Sequence, residues 1–374
     1  MIVILTEHEY YMRRAINLAR KGLGHTSPNP MVGAVIVKDG SVISEDYHRK
    51  VGEYHAERLA IENAKEDVSG ATLYVNLEPC CHHGRTLPCT DIIIKSGIKR
   101  VVAAITDPYP EVSGKGIEKL KESGVDVISG ILEQPAFKLN EAYIKRVKTG
   151  FPFVIYKTAM TLDGKIALSN GESQWITSER SRKYSHFIRS RVDGILTGAK
   201  TVINDNPSLD VRLKKKFKNP VPIIFDGNLE IPLNRKLFQD VDKKGTIVFT
   251  RDHKDETKIK KLESIGIKVI KVPGKDQFID LKEAMKIIGK SGMSSIMLEC
   301  GGNLAYSMLE KVLIDKVYFF IAPKIFGGAN SLTSFEGAGI NNISDAFKIK
   351  NIKSRLIGTD FLIEGYVRKN EGWE

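Results

Sequence analysis

Two stretches decide the fold of this chain: His55-Ala56-Glu57, and Pro79-Cys80-Cys81-His82-His83-Gly84-Arg85-Thr86-Leu87-Pro88-Cys89. One imidazole and two thiolates, from His55, Cys80 and Cys89, supply three ligands for zinc, and a water molecule can take the fourth tetrahedral position. An open fourth position distinguishes catalytic zinc sites from structural ones. Glu57, two residues after the histidine, is well placed to transfer the protons of that water. The pattern predicts a catalytic metal site built from two separated segments.

The spacing matches only in part the H-x-E…P-C-x-x-C pattern that is typical of zinc nucleobase deaminases. Eight residues separate Cys80 from Cys89, instead of two. Two other interpretations are open: the three side chains belong to a buried core, or they hold a zinc ion that only stabilises the fold. A strand-like run at Ala71–Leu77, followed at once by Glu78-Pro79-Cys80, makes the catalytic interpretation more specific than the short His-Ala-Glu motif alone.

Length and composition restrict the class of protein. A chain of 374 residues predicts two domains, and a hydrophobic fraction of 42% is enough for two cores. The formal net charge of +12 indicates anionic partners, which are nucleic acid, phosphorylated metabolites or a dinucleotide cofactor. Four cysteines, three of them in the metal-binding stretch, are poor material for a disulfide framework. We therefore expect a reducing, cytoplasmic compartment, without a signal peptide or a transmembrane segment.

Strands alternate with helices along the first half, which predicts an α/β domain. Asp39-Gly40 predicts a hairpin between two strands, and Pro135–Lys148 predicts one long helix. Both metal-binding stretches fall where a strand or a loop precedes a helix. Two adjacent helix N-termini can therefore present all three ligands to one point.

A helix end marks the predicted boundary between the domains. Lys148-Thr149-Gly150 combines basic residues with a terminal glycine, and Phe151-Pro152 cannot continue a helix. The predicted domains are therefore 1–149 and 150–374. In the second domain the apolar segments predict a mostly parallel sheet with antiparallel strands late in the chain, and Thr161–Ala167 predicts a turn between strands.

A strand–glycine–helix unit is predicted at Cys300-Gly301-Gly302-Asn303, after the strand Ser295–Glu299. Such a turn leaves N–H groups free at a helix N-terminus, where a diphosphate can bind. The sequence has no G-x-G-x-x-G fingerprint, so a plain connection between a strand and a helix is the alternative. Gly327-Gly328 has the same ambiguity.

Longer motifs in the first half resemble a known family. They are T-S-P-N-P-M-V-G-A-V-I-V at Thr26–Val37, Tyr47-His48, His-Ala-Glu, and L-E-P-C-C-H-H-G-R-T-L-P-C at Leu77–Cys89. They resemble the deaminase half of the bifunctional riboflavin-biosynthesis deaminase–reductases, which has the cytidine-deaminase-like α/β/α fold and uses the eight-residue gap between its cysteines. The chain departs from the family pattern at Cys81, where serine is commoner, and at Leu87, where proline is commoner.

The resemblance implies a role for particular residues of the first half. It implies that His55, Cys80 and Cys89 bind one Zn²⁺ and that Glu57 transfers protons. It also implies contacts with the base or the ribose phosphate of the substrate by Asn29, His48, His82 and Arg85.

The second half resembles the reductase half of the same family, which has a dihydrofolate-reductase-like fold and uses NADPH. The motifs are Y-K-T-A-M-T-L-D-G-K-I-A, S-Q-W-I-T, T-V-I-N-D-N-P-S-L and L-E-C-G-G-N-L. The resemblance implies that substrate-facing or catalytic positions are Lys157, Ser173, Arg189, Asp205, Leu209, Arg212 and Glu299, of which Lys157 and Asp205 assist the chemistry. It implies that the cofactor is lined by Ala159, Trp175, Thr201, Asp205, Gly301, Gly302, Asn303, Leu304, Ala305, Tyr306 and Ser307.

These observations predict two fused enzymes that act in succession. The first would deaminate 2,5-diamino-6-ribosylamino-4(3H)-pyrimidinone 5′-phosphate, and the second would reduce the ribosyl group of the product to ribityl with NADPH. We expect phosphorylated pyrimidines as partners, neither nucleic acid nor a membrane, and a homo-oligomer. Two other classes stay open: a deaminase of RNA or single-stranded nucleic acid, which predicts a basic, aromatic-lined groove, and a non-enzymatic zinc module, which predicts a fourth protein ligand.

Overall fold

A computed structural model describes residues 6–82, 87–214, 217–239, 245–252 and 255–368, so that the predicted substrate contact Arg85 lies outside the described residues. The chain divides into two units, residues 1–150 and 151–374. Each unit has its own sheet and its own buried hydrophobic core. None of the described helices has the length and apolar character that a membrane crossing requires.

The first unit is a five-stranded sheet with helices packed on it. Its helices are α1 Glu7–Ala19, α2 Ala56–Glu62, α3 Cys89–Lys95, α4 Lys115–Glu122, α5 Glu133–Leu139 and α6 Glu141–Thr149, and its strands are β1 Gly33–Lys38, β2 Ser41–Tyr47, β3 Thr72–Val75, β4 Arg100–Ala103 and β5 Asp126–Ser129.

The strand order of this sheet is β2-β1-β3-β4-β5. Strand β1 is antiparallel to β2 and β3, whereas β3, β4 and β5 are parallel. The predicted hairpin is confirmed, because Asp39 and Gly40 connect β1 to β2 with positive φ angles of 50° and 75°, as a tight hairpin turn requires. The loops after β3 and β4 leave the same edge of the sheet, since parallel strands end on the same side.

The prediction of one helix over Pro135–Lys148 is wrong, because α5 and α6 are separate helices that meet at Asn140. Asn140 has φ −104° and ψ 16°, which are not α-helical values. Its buried side chain accepts a hydrogen bond from the Met31 N–H at 2.8 Å and donates one to the Met31 carbonyl at 3.0 Å. These tertiary hydrogen bonds hold Asn140 against the segment before β1, and helical periodicity in the sequence gives no sign of them.

We expect Asn140→Ala to lower the stability of the first unit by about 1–3 kcal/mol, because the Met31 N–H would lose its acceptor. The Met31 carbonyl would keep the hydrogen bond that it accepts from Asn76. The urea concentration at which half of the first unit is unfolded, followed by amide hydrogen exchange in its strands, measures the effect. Asn17→Ala, on the exposed side of α1, is the control and should leave that concentration unchanged; a wild-type midpoint for Asn140→Ala would contradict the prediction.

The second unit contains one large sheet. Its helices are α7 Glu179–Arg189, α8 Ala199–Asp205, α9 Glu256–Ser264, α10 Leu281–Lys290 and α11 Gly302–Glu310, and its strands are β6 Phe153–Thr161, β7 Gly194–Gly198, β8 Val221–Phe225, β9 Ile247–Arg251, β10 Lys268–Val272, the small hairpin β11 Gly274–Lys275 and β12 Phe278–Ile279, then β13 Ser295–Leu298, β14 Lys316–Ala322, β15 Lys348–Ile357 and β16 Asp360–Arg368.

The order of the large sheet is β10-β9-β8-β7-β13-β6-β14-β16-β15. The first seven strands in this order, β10 through β14, are parallel to one another. The last two, β16 and β15, continue the sheet in antiparallel pairs. The prediction of a mostly parallel sheet with late antiparallel strands is confirmed. Since β13 lies between β7 and β6, the carboxyl ends of these three strands are neighbours, and ligands of open α/β sheets bind at such an edge.

Two details of the second unit differ from the sequence-based expectation. The turn after β6 is present, but the chain beyond it forms one isolated bridge, from Lys165 to Thr333, in place of a second strand. Strand β15 was not predicted, because its residues are mostly exposed and lack an apolar stripe. Lysines such as Lys350 and Lys353 on this edge strand disfavour pairing with another sheet edge.

Candidate active sites

Three ligand groups meet in the first unit. His55 is the N-cap of α2, Cys80 lies in the loop after β3, and Cys89 is the first residue of α3. Nδ1 of His55 lies 3.3 Å from Sγ of Cys89 and 3.5 Å from Sγ of Cys80, and the three ligand atoms all lie within 4.8 Å of one another. Tetrahedral zinc with ordinary bond lengths separates nitrogen and sulfur ligands by about 3.6 Å. The donor set and its spacing therefore fit Zn²⁺.

Backbone contacts at the start of α3 hold the two cysteines together. The Cys89 N–H donates to Sγ of Cys80 at 3.4 Å, and the Thr90 N–H donates to the Cys80 carbonyl at 3.1 Å. Hydrogen bonds from the Cys89 thiol and from His55 lower the pKa of Cys80 to about 4, although burial opposes this. Cys80 is therefore held as a thiolate, which is the form that binds a metal.

Glu57 lies in the first turn of α2 and is only 3% exposed. Its Oε2 atom has no hydrogen-bond partner among the described residues. Burial raises the pKa of Glu57 to about 7, although the charge of His55 opposes the shift. A buried carboxyl group that titrates near neutral pH and has a free oxygen suits proton transfer, and an unpartnered buried polar atom is unusual in a purely structural site.

His48 and Asn29 lie beside the ligand group. The His48 ring stands edge-on to the His55 ring at a centroid distance of 5.5 Å. Nδ1 of His48 lies 3.1 Å from the Tyr54 carbonyl, and Nε2 lies 3.2 Å from Nδ2 of Asn29. A carbonyl can only accept, so Nδ1 carries the proton and Nε2 accepts from the amide. Burial lowers the pKa of His48, which agrees with this neutral form.

The loop after Cys80 sends two neighbouring side chains to different places. Sγ of Cys81 donates to the Glu111 carbonyl at 3.7 Å, and Cys81 is not a member of the ligand group. The His82 ring lies 5.7 Å from the Tyr109 ring, and its buried Nδ1 has no partner among the described residues. Among the described residues, this nitrogen of His82 is therefore free for another hydrogen bond.

A buried charge cluster lies at the carboxyl edge of the second sheet. Arg189 donates to both oxygens of Glu299, at 2.7 and 2.9 Å, and Nζ of Lys157 lies 3.7 Å from Oε2 of the same carboxylate. Burial would raise the pKa of Glu299, but the charges of Arg189 and Lys157 prevail and lower it. Burial lowers the pKa of Lys157. Because Glu299 is held mainly by Arg189, the Lys157 ammonium can also donate a hydrogen bond to another polar group.

Other predicted substrate positions lie in the loop after β6 and in the segment that begins with Asp205, the last residue of α8. Partial burial of the Asp205 carboxyl raises its pKa, and a hydrogen bond from Ser173 opposes the rise, so these two predicted residues are in contact. Leu209 is buried with a positive φ of 51°. Arg212 is largely exposed and pairs with Asp210 at 2.8 Å, whereas Arg189 donates to the Asp210 carbonyl at 3.0 Å. The segment 205–212 is thereby held next to the charge cluster.

The first predicted cofactor positions of α11 follow the same edge of the sheet, whereas Ala305 is fully buried in the core of the unit. Gly301 is the N-cap of α11, directly after Glu299 and Cys300, and Leu304 packs close to Gly198 at the end of β7. Gly302 has no room for a side chain, because a Cβ atom would lie 2.5 Å from the Thr333 carbonyl oxygen. The remaining predicted cofactor residues are Ala159 in β6, Trp175 in the loop after β6, Thr201 in α8, and Asn303, Ala305, Tyr306 and Ser307 in α11. A glycine-rich helix N-terminus at this edge fits a dinucleotide phosphate.

Comparison with known proteins identifies the family. The model of the cytidine and deoxycytidylate deaminase zinc-binding region matches residues 5–105, and the model of the RibD C-terminal domain matches residues 152–363. The riboflavin biosynthesis protein RibD of Actinobacillus pleuropneumoniae is 43% identical over 354 residues, which cover 95% of this chain and 94% of that protein. The chain belongs to the RibD family.

Two solved structures are similar to this RibD-family chain over nearly its whole length. Acinetobacter baumannii RibD, form 1, has a TM-score of 0.88 at 33% identity and covers 97% of this chain and 99% of its own. The Thermotoga maritima protein has a TM-score of 0.84 at 38% identity, with coverage of 97% and 99%. That protein is described as a diaminohydroxyphosphoribosylaminopyrimidine deaminase/5-amino-6-(5-phosphoribosylamino)uracil reductase.

RibD membership confirms several predictions made from sequence. The chain is a bifunctional deaminase and reductase of riboflavin biosynthesis, and so both a hydrolase and an oxidoreductase. Its fold class is a cytidine-deaminase-like domain fused to a RibD reductase domain. Its cofactors are Zn²⁺ for the deaminase and NADPH for the reductase, and it acts on small-molecule substrates.

Sequence reasoning on this RibD-family chain missed Asp107 near the metal ligands. Burial raises the pKa of Asp107 to about 6, and its Oδ1 accepts hydrogen bonds from the Tyr143 hydroxyl at 2.8 Å and the Tyr109 N–H at 2.9 Å. Its charge also acts on His55. A signal was present, because Asp107 follows β4, the strand that is parallel to β3 and ends at the same edge.

His186 in α7 was also missed. Its Nδ1 accepts a hydrogen bond from the Arg212 N–H at 3.3 Å. Burial and the nearby charges of Arg189 and Arg212 lower the pKa of His186 to about 4, so the ring is neutral beside the charge cluster. Its position three residues before Arg189 places both on one face of the helix, and this spacing could have identified it.

Proposed function

We propose that the first unit is the deaminase and the second the reductase, with the functional boundary at residues 149–150. The observation that carries the deaminase assignment is a buried oxygen of Glu57, beside three metal ligands, that has no hydrogen-bond partner within the described part of the chain. A structural zinc site would use a fourth protein ligand, and the ligand group among the described residues has three members. His55, Cys80 and Cys89 would hold the zinc ion.

In the deamination, Glu57 is the group that moves protons. Zinc, when bound, lowers the pKa of a water molecule towards neutrality and so supplies a nucleophile. Glu57 takes a proton from the attacking water and returns it to the amino group that leaves as ammonia. Its buried position beside the three ligands, with one oxygen that has no partner among the described residues, suits both directions of transfer. His48, held in one tautomer by Tyr54 and Asn29, orients the pyrimidine ring, and His82 and Arg85 would contact the base or the phosphate.

The proposed substrate of the deaminase is 2,5-diamino-6-ribosylamino-4(3H)-pyrimidinone 5′-phosphate. The description of the Thermotoga maritima relative supports this substrate, as that protein covers nearly the whole chain. The net charge of +12 suits a phosphorylated ligand. The product would carry an oxo group in place of one amino group, and it would be the substrate of the second unit.

In the reduction, the bond between the anomeric carbon and the ring oxygen of the ribosyl group breaks, the carbon gains a hydride, and the oxygen gains a proton. NADPH, when bound, supplies the hydride. Lys157 would give the proton, because burial lowers its pKa and makes the ammonium a stronger acid than an exposed lysine. Arg189 holds Glu299 with two hydrogen bonds, and Glu299 orients Lys157. Asp205 would give further polar assistance.

The remaining predicted residues would bind the substrate and NADPH. Substrate contacts would come from Ser173, Arg189, Leu209, Arg212 and Glu299, and cofactor contacts from Ala159, Trp175, Thr201, Asp205 and residues 301–307. Glu299 and Gly301 follow the carboxyl end of β13, the neighbour of β6 and β7, and Glu299 pairs with Arg189 and Lys157, which supports this assignment. The free thiols that the metal site needs favour a cytoplasmic location. We expect the protein to form a homo-oligomer and not to bind nucleic acid.

Removal of zinc tests the division of labour. A chelator that strips the metal should abolish ammonia release from the pyrimidine nucleotide, since the nucleophile is lost. NADPH oxidation, measured with the deaminated pyrimidine as substrate, should continue at the original rate. Restored ammonia release after addition of Zn²⁺ is the control. Ammonia release from RNA by the intact chain, without release from the nucleotide, would contradict the proposed substrate class.

A further inference from the structure

Two loops leave the carboxyl ends of the neighbouring parallel strands β6 and β14: residues 162–177 and residues 323–336. Backbone hydrogen bonds join them side by side. The Leu162 N–H donates to the Lys324 carbonyl at 2.8 Å, and the Ile166 N–H donates to the Leu332 carbonyl at 2.8 Å. The second loop contains Gly327-Gly328, whose residues have no role in the proposed substrate and cofactor contacts.

Asp163 is the side chain that connects the first loop to the beginning of the second. Its Oδ2 accepts from the Gly327 N–H at 2.7 Å, and its Oδ1 accepts from the Phe326 N–H at 3.2 Å and from the Thr161 hydroxyl at 2.5 Å. These hydrogen bonds lower the pKa of Asp163 to about 2, so the carboxylate is charged under all ordinary conditions. Gly327 has a positive φ of 66°, a conformation that suits glycine.

The second loop also contacts both segments of the proposed cofactor site. Nζ of Lys324 donates to the Trp175 carbonyl at 2.8 Å. At the other end of the loop, the Glu336 N–H donates to the Gly302 carbonyl at 3.2 Å, and the Glu336 carboxylate accepts from the Asn303 side chain at 2.6 Å. The conformation of this loop therefore affects the position of Trp175 and of the N-terminal turn of α11.

We propose that Asp163 is a positioning residue for NADPH: its carboxylate fixes the loop 323–336, and through that loop it sets the positions of Trp175 and the start of α11. This inference rests on the assignment of those two segments to the cofactor site. Asp163 itself need not touch the cofactor, and its effect would be on binding more than on the chemical step.

Asp163→Asn tests the inference, because asparagine has nearly the same shape but has one acceptor oxygen and no charge. We expect the dissociation constant of NADPH alone, measured by energy transfer from tryptophan to the cofactor, to rise about tenfold, the scale of a lost charge-assisted hydrogen bond. The KM for NADPH should rise with it, whereas kcat of the reductase and ammonia release by the deaminase should stay at wild-type values.

Asp280→Asn is the matched control. Asp280 is the N-cap of α10 and likewise accepts from two backbone groups, the Lys282 N–H at 2.9 Å and the Glu283 N–H at 3.1 Å. It should cost comparable thermal stability but leave NADPH binding unchanged. Thr161→Val removes the hydroxyl that donates to Asp163 and accepts from the Lys165 N–H at 2.9 Å. Both N–H groups of the second loop still reach the Asp163 carboxylate, so a smaller rise in the dissociation constant is expected, and this variant serves if Asp163→Asn does not fold.

The outcomes separate the inference from the function on which it rests. Equal NADPH affinity in the wild type and in Asp163→Asn, with a wild type that does bind NADPH, would overturn the inference alone. A similar loss of affinity in Asp280→Asn would also overturn it, because the effect would then be general destabilisation. A wild-type chain without affinity for NADPH would overturn the cofactor assignment and the inference together.

Discussion

Glu57→Gln is expected to abolish ammonia release, by about 10³-fold or more, while NADPH oxidation on the deaminated pyrimidine continues at the wild-type rate. The carboxamide has the shape of the carboxyl group but cannot carry a proton between water and the leaving amine, and general acid–base catalysis contributes about 10²–10⁴-fold. The buried Glu57 has an oxygen without a hydrogen-bond partner among the described residues. A neutral side chain should therefore fold as well as the wild type.

Glu62→Gln is the matched control for Glu57→Gln. Glu62 is the last residue of the same helix, α2, and forms an ion pair with Arg58 at 2.7 Å on the protein surface. This control should keep full deaminase activity, since surface ion pairs contribute little to stability. The zinc content of both variants should equal that of the wild type. Ammonia release by Glu57→Gln above about a tenth of the wild-type rate, with zinc bound, would contradict the role of Glu57.

The second large effect is expected from Lys157→Met, which should lower kcat/KM of the reductase by about 10²–10⁴-fold. Methionine fills a similar volume without a charge, so the proton donor is lost while the strand β6 keeps its packing. The bidentate pair between Arg189 and Glu299 remains, and the buried carboxylate keeps its neutralising partner. Removing Glu299 instead would leave buried cations unpaired, a change that is strongly destabilising and that would confuse the measurement.

Lys268→Met provides the control for Lys157→Met. Lys268 begins β10, an edge strand of the sheet that is not a neighbour of β6, and its side chain is exposed. The control should retain reductase activity, and both variants should retain NADPH binding and ammonia release. If Lys157→Met reduced the substrate at the wild-type rate, the proton would have to come from another group, and Asp205 would be the next residue to substitute.

The regular elements of this protein could be predicted from sequence to a large extent. Strand β7 and strand β8 lie at the predicted residues, and α7 begins after the predicted cap, Ser178, whose hydroxyl accepts from the Ser181 N–H. These signals are local: apolar runs for buried strands and a hydroxyl side chain for a helix start. Their agreement with the fold shows that local preference and tertiary packing point in the same direction here.

The elements that could not be predicted are those whose conformation depends on contacts with distant segments of the chain. Asn140 interrupts a helical pattern because its amide is satisfied by Met31, 109 residues earlier. Strand β15 has no apolar stripe and is a strand because β16 offers it a partner. Neither feature leaves a periodic signal in its own segment, so no local argument could have found it.

The candidate sites show the same division. The metal ligands were recognisable because imidazole and thiolate donors are scarce and chemically specific. The contacts of His48 with Tyr54 and of Asp163 with Gly327 were not, since common polar residues have many possible partners. The same limit explains why His186 and Asp107 were overlooked.

The sequence by itself determined which chemistry this protein can perform: the donors for zinc, the proton-transferring carboxyl group beside them, and the order of strands and helices, because these are properties of residue types and of short-range spacing. Only the tertiary structure decided which side chains meet, that one buried oxygen of Glu57 has no hydrogen-bond partner among the described residues, and that Lys157 shares Glu299 with Arg189. The reason is physical. Burial, and with it the pKa of each of these groups, depends on segments that are far apart in the chain and adjacent only after folding.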